Sequence, residues 1–149
     1  MDKAVLISIR PKWCELIANG QKTIEVRKTK PKIQTPFKCY IYCTQSKEGL
    51  PDSAEMYIHS SGKVIGEFIC DSIIPIETNI EGQLRNVHFA DVLQTCLSTA
   101  ELRAYIGANK TGYGWHISEL VIYDEPKKLK DYFEINRPPQ SWCYSKEAE

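Results

Sequence analysis

Within the six-residue stretch KTIEVR, Lys22, Thr23, Glu25 and Arg27 gather an ammonium, a hydroxyl, a carboxylate and a guanidinium. Such a set can do two kinds of chemistry. A lysine stripped of water can act as a base, and a carboxylate beside it can take or give a proton. The same cations can instead grip a phosphate, with the arginine fork offering paired donors. A third outcome is structural: an ion-pair network that holds a turn, where exposed pairs contribute little. Residue chemistry alone leaves all three open.

The elements on either side must position this set. Pro11 suits the first position of a helix, where its missing N–H costs nothing. Trp13, Leu16 and Ile17 follow at helical spacing as one apolar face. Asn19-Gly20 supplies the stop, with Gly20 able to take a left-handed conformation. The period then changes to two. Ile24 and Val26 point one way, Thr23, Glu25 and Arg27 the other. The C-terminal carbonyls of the preceding helix are expected near Lys22, where their partial negative charge would hold it as a cation.

The rest of the chain reads as a mixed fold. "AVLISI", residues 4–9, is a first strand, and "FKCYIYCT", 37–44, another. Residues 45–55 form a loop. Residues 56–76 read as strand, turn at Ser61-Gly62, long strand, with Gly66 marking a bulge or a close backbone approach. After a second loop at 77–87, Ser98 and Glu101 form a capping box. The helix they open carries Leu102, Tyr105 and Ile106 on its apolar face and ends at Gly107. Residues 112–124 are β-rich, and their slipped alternation predicts a bulge near Ser118. Pro126 begins a short helical turn with Leu129, Tyr132 and Phe133. This is a single α+β domain over residues 1–149, with about five or six mostly antiparallel strands in a sheet or small barrel flanked by helices.

Composition narrows the partners. Lysine plus arginine equals aspartate plus glutamate, 19 each, so overall charge gives no reason to expect nucleic acid. Locally, Lys22, Arg27, Lys28, Lys30, Lys32 and Lys38 fall close together with only Glu25 opposing them. That block is either a phosphate-binding patch or a solvated strand edge. The six cysteines show no CxxC spacing, and no histidine stands at finger distance from them. No metal and no other cofactor is expected. Reduced thiols and the lack of a long apolar run point to a cytoplasmic protein with no membrane partner. His59, His88 and His116 are scattered and suggest no catalytic pair. Trp13 and Trp115 belong to the core. Trp142 either plugs the C-terminal segment into the fold or walls a cleft and stacks on a base.

The stretch SIRPKWCELIANGQKTIEVRK resembles the signature of the ASCH domain, a relative of the PUA RNA-binding domain. The hallmark Gly-x-Lys-x-x-Glu-x-Arg is matched by Gly20, Lys22, Glu25 and Arg27. "GKVIGEF" and "WHIS" resemble later family strands, and "RPPQSWCY" resembles the ending of compact phage- or prophage-associated members. The resemblance implies a small PUA-like β-barrel with a cleft beside the lysine motif. It also implies RNA, or a nucleotide or nucleoside, as partner. Ser8 and Arg10 would face the same turn. With the basic block and the tail tryptophan added, the candidate binding set is Ser8, Arg10, Lys22, Thr23, Glu25, Arg27, Lys28, Lys30, Lys32 and Trp142.

One branch of the family removes acyl groups from acylated cytidine, using a lysine, a threonine and a distant glutamate. Lys22 matches that lysine. Glu25 stands at the threonine position, and Thr23 lies elsewhere. Glu101, on its capped helix, is a candidate for the distant acid without a local motif to secure it. A hydrolase acting on a modified nucleoside or on RNA, with Lys22 and Glu25 as acid–base pair, is the alternative to a binding module. A structural or partner-binding protein is the third reading.

Overall fold

The computed structural model describes residues 3–51 and 53–147. The chain runs β1 (Lys3–Ile9), α1 (Pro11–Ala18), β2 (Ile24–Arg27), β3 (Phe37–Cys43), a π-helical turn (Met56–Ser60), β4 (Lys63–Thr78) and β5 (Leu84–Arg85). It continues with α2 (Phe89–Thr95), α3 (Thr99–Ile106), β6 (Thr111–Lys127), α4 (Leu129–Tyr132) and β7 (Trp142–Lys146). The strands form one sheet in the order β2-β6-β4-β3-β1-β7, with β5 beside β4. All pairings are antiparallel except β1 with β3.

The run AVLISI is apolar at nearly every position because β1 lies between β3 and β7 and is buried on both faces. Val5, Ile7 and Ile9 face a main core with Cys14 and Ile17 of α1, Phe68 and Trp115. Ala4 and Leu6 face a second cluster with Tyr40, Val64, Leu129 and Phe133. A third cluster joins Ile24 and Val26 of β2 to Val92 of α2 and to Leu102 and Ile106 of α3. That third cluster sets the site, because it fixes β2 with its opposite side-chain row turned away from the two helices.

Several expectations need correction. The sheet is not closed, so "barrel" is only an approximation. β2 stops four residues short of Pro31, which has no N–H for a ladder. The circuit back to β7 is made instead by isolated bonds. Trp142 Nε1 donates to Thr29 Oγ1 at 2.9 Å, and the Lys32 amide donates to the Tyr144 hydroxyl at 2.8 Å. Residues 56–60 are not a strand. β4 already has β3 on one edge and β6 on the other, so a strand preceding Gly62 has no open edge beside it. Pro126 lies within the end of β6, and the helical turn starts only at Leu129. The inner face of α1 is Pro11, Cys14 and Ile17, which leaves Trp13 and Leu16 half-buried.

Other local readings hold. Gly20 has φ +85°. Ser98 and Glu101 form both bonds of the capping box. The bulge in β6 falls beside Ser118: Ser118 pairs with Ile69 and Val121 with Glu67, so three steps on β6 oppose two on β4. Glu119, within it, has φ +49°. At Gly66 a Cβ would run into the Val121 carbonyl, which is the close approach that glycine permits.

Candidate functional site

Two short elements turn Lys22 inward. The Gly20 amide donates to the Ile17 carbonyl and the Lys22 amide to the Leu16 carbonyl, so the chain leaves α1 in a tight, hydrogen-bonded turn. β2 then pairs with β6, Glu25 opposite Trp115 and Arg27 opposite Tyr113. Period two places Glu25 and Arg27 on one face, as the alternation requires.

Lys22, Glu25 and Arg27 form a buried triad. Lys22 Nζ lies 3.2 Å from Glu25 Oε1, and Arg27 Nη2 lies 2.6 Å from Glu25 Oε2. The lysine side chain is 1% exposed and the glutamate 7%. Lys22 Nζ also donates to the Thr95 carbonyl at 2.5 Å and stands 5.0 Å from the centre of the Trp13 ring. Arg27 Nη2 donates in addition to the Ser8 carbonyl at 2.7 Å. Arg27 Nε is buried and has no acceptor among the described residues. The triad thus carries two positive charges against one negative, and one of its donors is unspent.

These residues form the floor of an open cleft of about 940 Å³. Trp13 and Tyr105 contribute aromatic surface, Ser8 and Ser141 polar atoms, and Gln140 a carboxamide. At the rim Arg10 and Glu48 pair at 2.7 Å, both well exposed. Glu101 also lines the cleft. Its carboxylate accepts from the Ser98 amide at 3.0 Å, and this cap holds it below the usual glutamate range, with a smaller contribution from the charge of Lys22. The tail that carries Gln140 is pinned on both sides. The Ser8 hydroxyl donates to the Pro139 carbonyl at 2.7 Å, and the Ser8 amide donates to the Ser141 carbonyl at 2.9 Å.

The structure therefore brings together Ser8, Arg10, Lys22, Glu25 and Arg27. Thr23 belongs elsewhere: its hydroxyl donates to the Gln94 side chain at 2.8 Å and fastens β2 to α2. Trp142 does not line the cleft. Its ring packs edge-on against Trp115 and Tyr144, which is the plug reading. Lys28 stands 5.1 Å over Tyr105 at the cleft's edge, and Lys30 lies 5.4 Å over Tyr113. Lys32 is exposed and outside the cleft. Lys38 pairs with Glu67 at 3.1 Å on another surface, beside a second groove of about 920 Å³ that holds none of the motif. No cysteine offers a nucleophile at the floor. Burial, together with neighbouring Cys43, pushes the Cys14 thiol up, and burial pushes Cys70 up to about 12.

Sequence reasoning missed Thr95, Leu97, Gln140 and Ser141. Thr95 contributes a carbonyl, which any residue has. Leu97 and the tail reach the cleft only through the third dimension. Tyr105 stands at an apolar-face position of its helix, yet it is 38% exposed and borders the cleft.

A mixed, open seven-stranded sheet with a buried ionic cluster between the first helix and a short strand defines a recognisable class of domain. The ASCH domain family model matches residues 7–135, and the chain belongs to that family. The crystal structure of ASCH from Zymomonas mobilis superposes with a TM-score of 0.70 at 19% identity, covering 95% of this chain and 86% of that one. Two mutants of the Zymomonas mobilis protein give the same TM-score. One is 20% identical, covering 96% of this chain and 90% of its own; the other is 19% identical, covering 95% and 87%. At these identities the likeness is one of fold. No curated protein matches the chain significantly.

Proposed function

We propose that this ASCH domain binds RNA and takes one nucleotide-sized unit into the cleft above Lys22, Glu25 and Arg27. The observation that carries this reading is the triad. A fold gains little from burying two cations and one anion, since apolar residues of similar size pack as well without the desolvation cost. Lining an open cleft, the same cluster offers excess positive charge to an acceptor oxygen of a ligand. The cleft volume falls in the range that small-ligand sites occupy, roughly 300–1,000 Å³.

A hydrolase acting on a modified nucleoside is the second reading, favoured by the 3.2 Å contact of Lys22 with Glu25 inside the cleft. In that role Lys22 would hold a developing oxyanion. Each Glu25 carboxylate oxygen already faces a cation, Oε1 the Lys22 ammonium and Oε2 the Arg27 guanidinium. Glu48, paired with Arg10 at the rim, and Glu101 are the other carboxylates on the cleft.

The test is a titration of the protein with single-stranded RNA and with the common and acylated nucleosides, reading binding by calorimetry and turnover by chromatography. Binding that is lost in Lys22→Met, with no turnover, is the expected result. Turnover of an acylated nucleoside would replace the first reading by the second. Binding of RNA that Lys22→Met leaves intact would remove the cleft from both.

A further inference from the structure

We infer that residues 28–32 and the aromatic rings beside them form a track for single-stranded RNA that leads away from the cleft. This rests on the RNA-binding reading above and names the form of the RNA.

The track begins at the cleft. Tyr105, on its edge, has Lys28 Nζ 5.1 Å from its ring centre. Two residues on, Lys30 Nζ lies 5.4 Å over the ring of Tyr113. Between them Thr29 accepts a hydrogen bond from Trp142 Nε1, and Trp142 lies 5.3 Å from Tyr144. The Tyr144 hydroxyl accepts from the Lys32 amide, and Lys3 Nζ stands 5.3 Å over its ring. Three tyrosines, each with a lysine ammonium over its ring, thus follow one segment from the cleft to β7. Tyr105 and Tyr144 are 38% and 41% exposed, while the lysines reach into solvent.

A cation beside an accessible aromatic ring is the unit that single-stranded nucleic acid uses. The ring stacks a base, the ammonium meets the phosphate, and neither reads sequence. A duplex hides its base faces in its own stack and would meet only the lysines. The rings therefore separate a track for single strands from a general phosphate patch. The segment itself is held by side-chain bonds at Thr29 and Lys32, so the rings and lysines keep their order without a strand ladder.

The experiment uses fluorescence anisotropy with a labelled oligouridine of about 12 nucleotides and an RNA duplex of the same length. The track variant is Tyr113→Leu, which keeps apolar packing, every lysine and the Lys32–Tyr144 bond that holds the segment. The expected result is oligouridine binding tighter than duplex binding, weakened about tenfold in the variant, with an unchanged salt slope because no phosphate contact is lost. Lys22→Met reports the cleft separately. If Lys22→Met weakens oligouridine while the tyrosine variant binds as wild type does, the track is wrong and the cleft reading stands. If the tyrosine variant weakens binding and Lys22→Met does not, the cleft reading falls instead. Equal binding of duplex and single strand overturns the track. Tyr113 is half-buried against the main core, so ultraviolet crosslinking of the wild-type protein to oligouridine gives a second readout. Crosslinks in the peptides holding Tyr105, Tyr113 or Tyr144 are expected, and crosslinks confined to other peptides overturn the proposal.

Discussion

The Lys22 ammonium donates to the Thr95 carbonyl, 2.5 Å away and 73 positions later in the chain. Thr95 is the last residue of α2, and the final carbonyls of a helix lack intrahelical partners and carry partial negative charge. The ammonium is thus held by a helix terminus, as its position after α1 suggested, but the helix is α2. The chain leaves α1 through hydrogen bonds of its own backbone, with the Leu16 and Ile17 carbonyls already taken.

This geometry makes the two halves of the Lys22–Glu25 pair unequal. Lys22→Met leaves Glu25 with Arg27, a neutral buried pair, and leaves the Thr95 carbonyl without its donor. The relief of a buried charge and the cost of that carbonyl nearly cancel, so stability should change by less than about 1 kcal/mol. Glu25→Gln leaves two buried cations with no counter-charge and should cost about 3 kcal/mol or more. Ligand affinity should fall at least about tenfold in Lys22→Met, the equivalent of one charge-assisted contact. Denaturant melts and binding isotherms of both variants check this. A Lys22→Met variant that is strongly destabilised yet binds normally would make the triad structural.

Gly20 gives a simpler test. Its φ of +85° lies where side chains strain the backbone, and a Cβ there would meet nothing within 4 Å. The whole effect of Gly20→Val is therefore conformational, and it should destabilise by about 1 kcal/mol or more with no change in m-value. Unchanged stability would show that this turn relaxes at no cost.

How much was legible depended on whether a signal was local. Gly20, the Ser98–Glu101 cap and the bulge beside Ser118 are settled by a few neighbouring residues, and all could be seen in the sequence. The alternation of Ile24 and Val26 against Glu25 and Arg27 could be seen too, because β2 has helices on one face and the cleft on the other. The segment 56–60 could not: its composition suits a strand, but the edges of β4 were already filled by β3 and β6. Nor could the separation of Thr23 from Glu25, since Gln94 reaches Thr23 only once α2 has packed on β2. Trp142 looked suited to a cleft wall, and only the pairing of β7 with β1 shows that its ring turns toward Trp115.

The cap of α3 gives a pH dependence. Hydrogen bonds from Ser98 hold Glu101 below its ordinary value of 4.5. A carboxylate with a lowered folded pKa contributes stability above its ordinary pKa and loses it as the pH falls through the lowered value. Glu101→Gln keeps a side chain that can complete the capping box but cannot titrate. The variant should melt with less acid sensitivity below about pH 4.5 than the wild type, while Ser98→Ala should lower stability by about 1 kcal/mol at neutral pH. Parallel melting curves of wild type and Glu101→Gln across the acid range would refute the cap as the source.

The lysines after β2 give the last test, and it depends on salt. Lys28, Lys30 and Lys32 are exposed, and none forms an ion pair among those resolved in the described residues. Their removal should leave the fold nearly unchanged, since surface substitutions of this kind stay within about 0.5 kcal/mol. RNA affinity is another matter, because each phosphate contact releases bound counterions. For a single strand the logarithm of the binding constant falls with the logarithm of salt by about 0.7 for each contact. Replacing all three lysines with glutamine should therefore weaken binding at low salt and flatten the slope by about 2, or less where a lysine makes only part of a contact. The two affinities should converge as salt rises, because the cleft contacts of Lys22 and Arg27 remain. A triple variant with the slope of the wild type would show that RNA approaches this domain from another side.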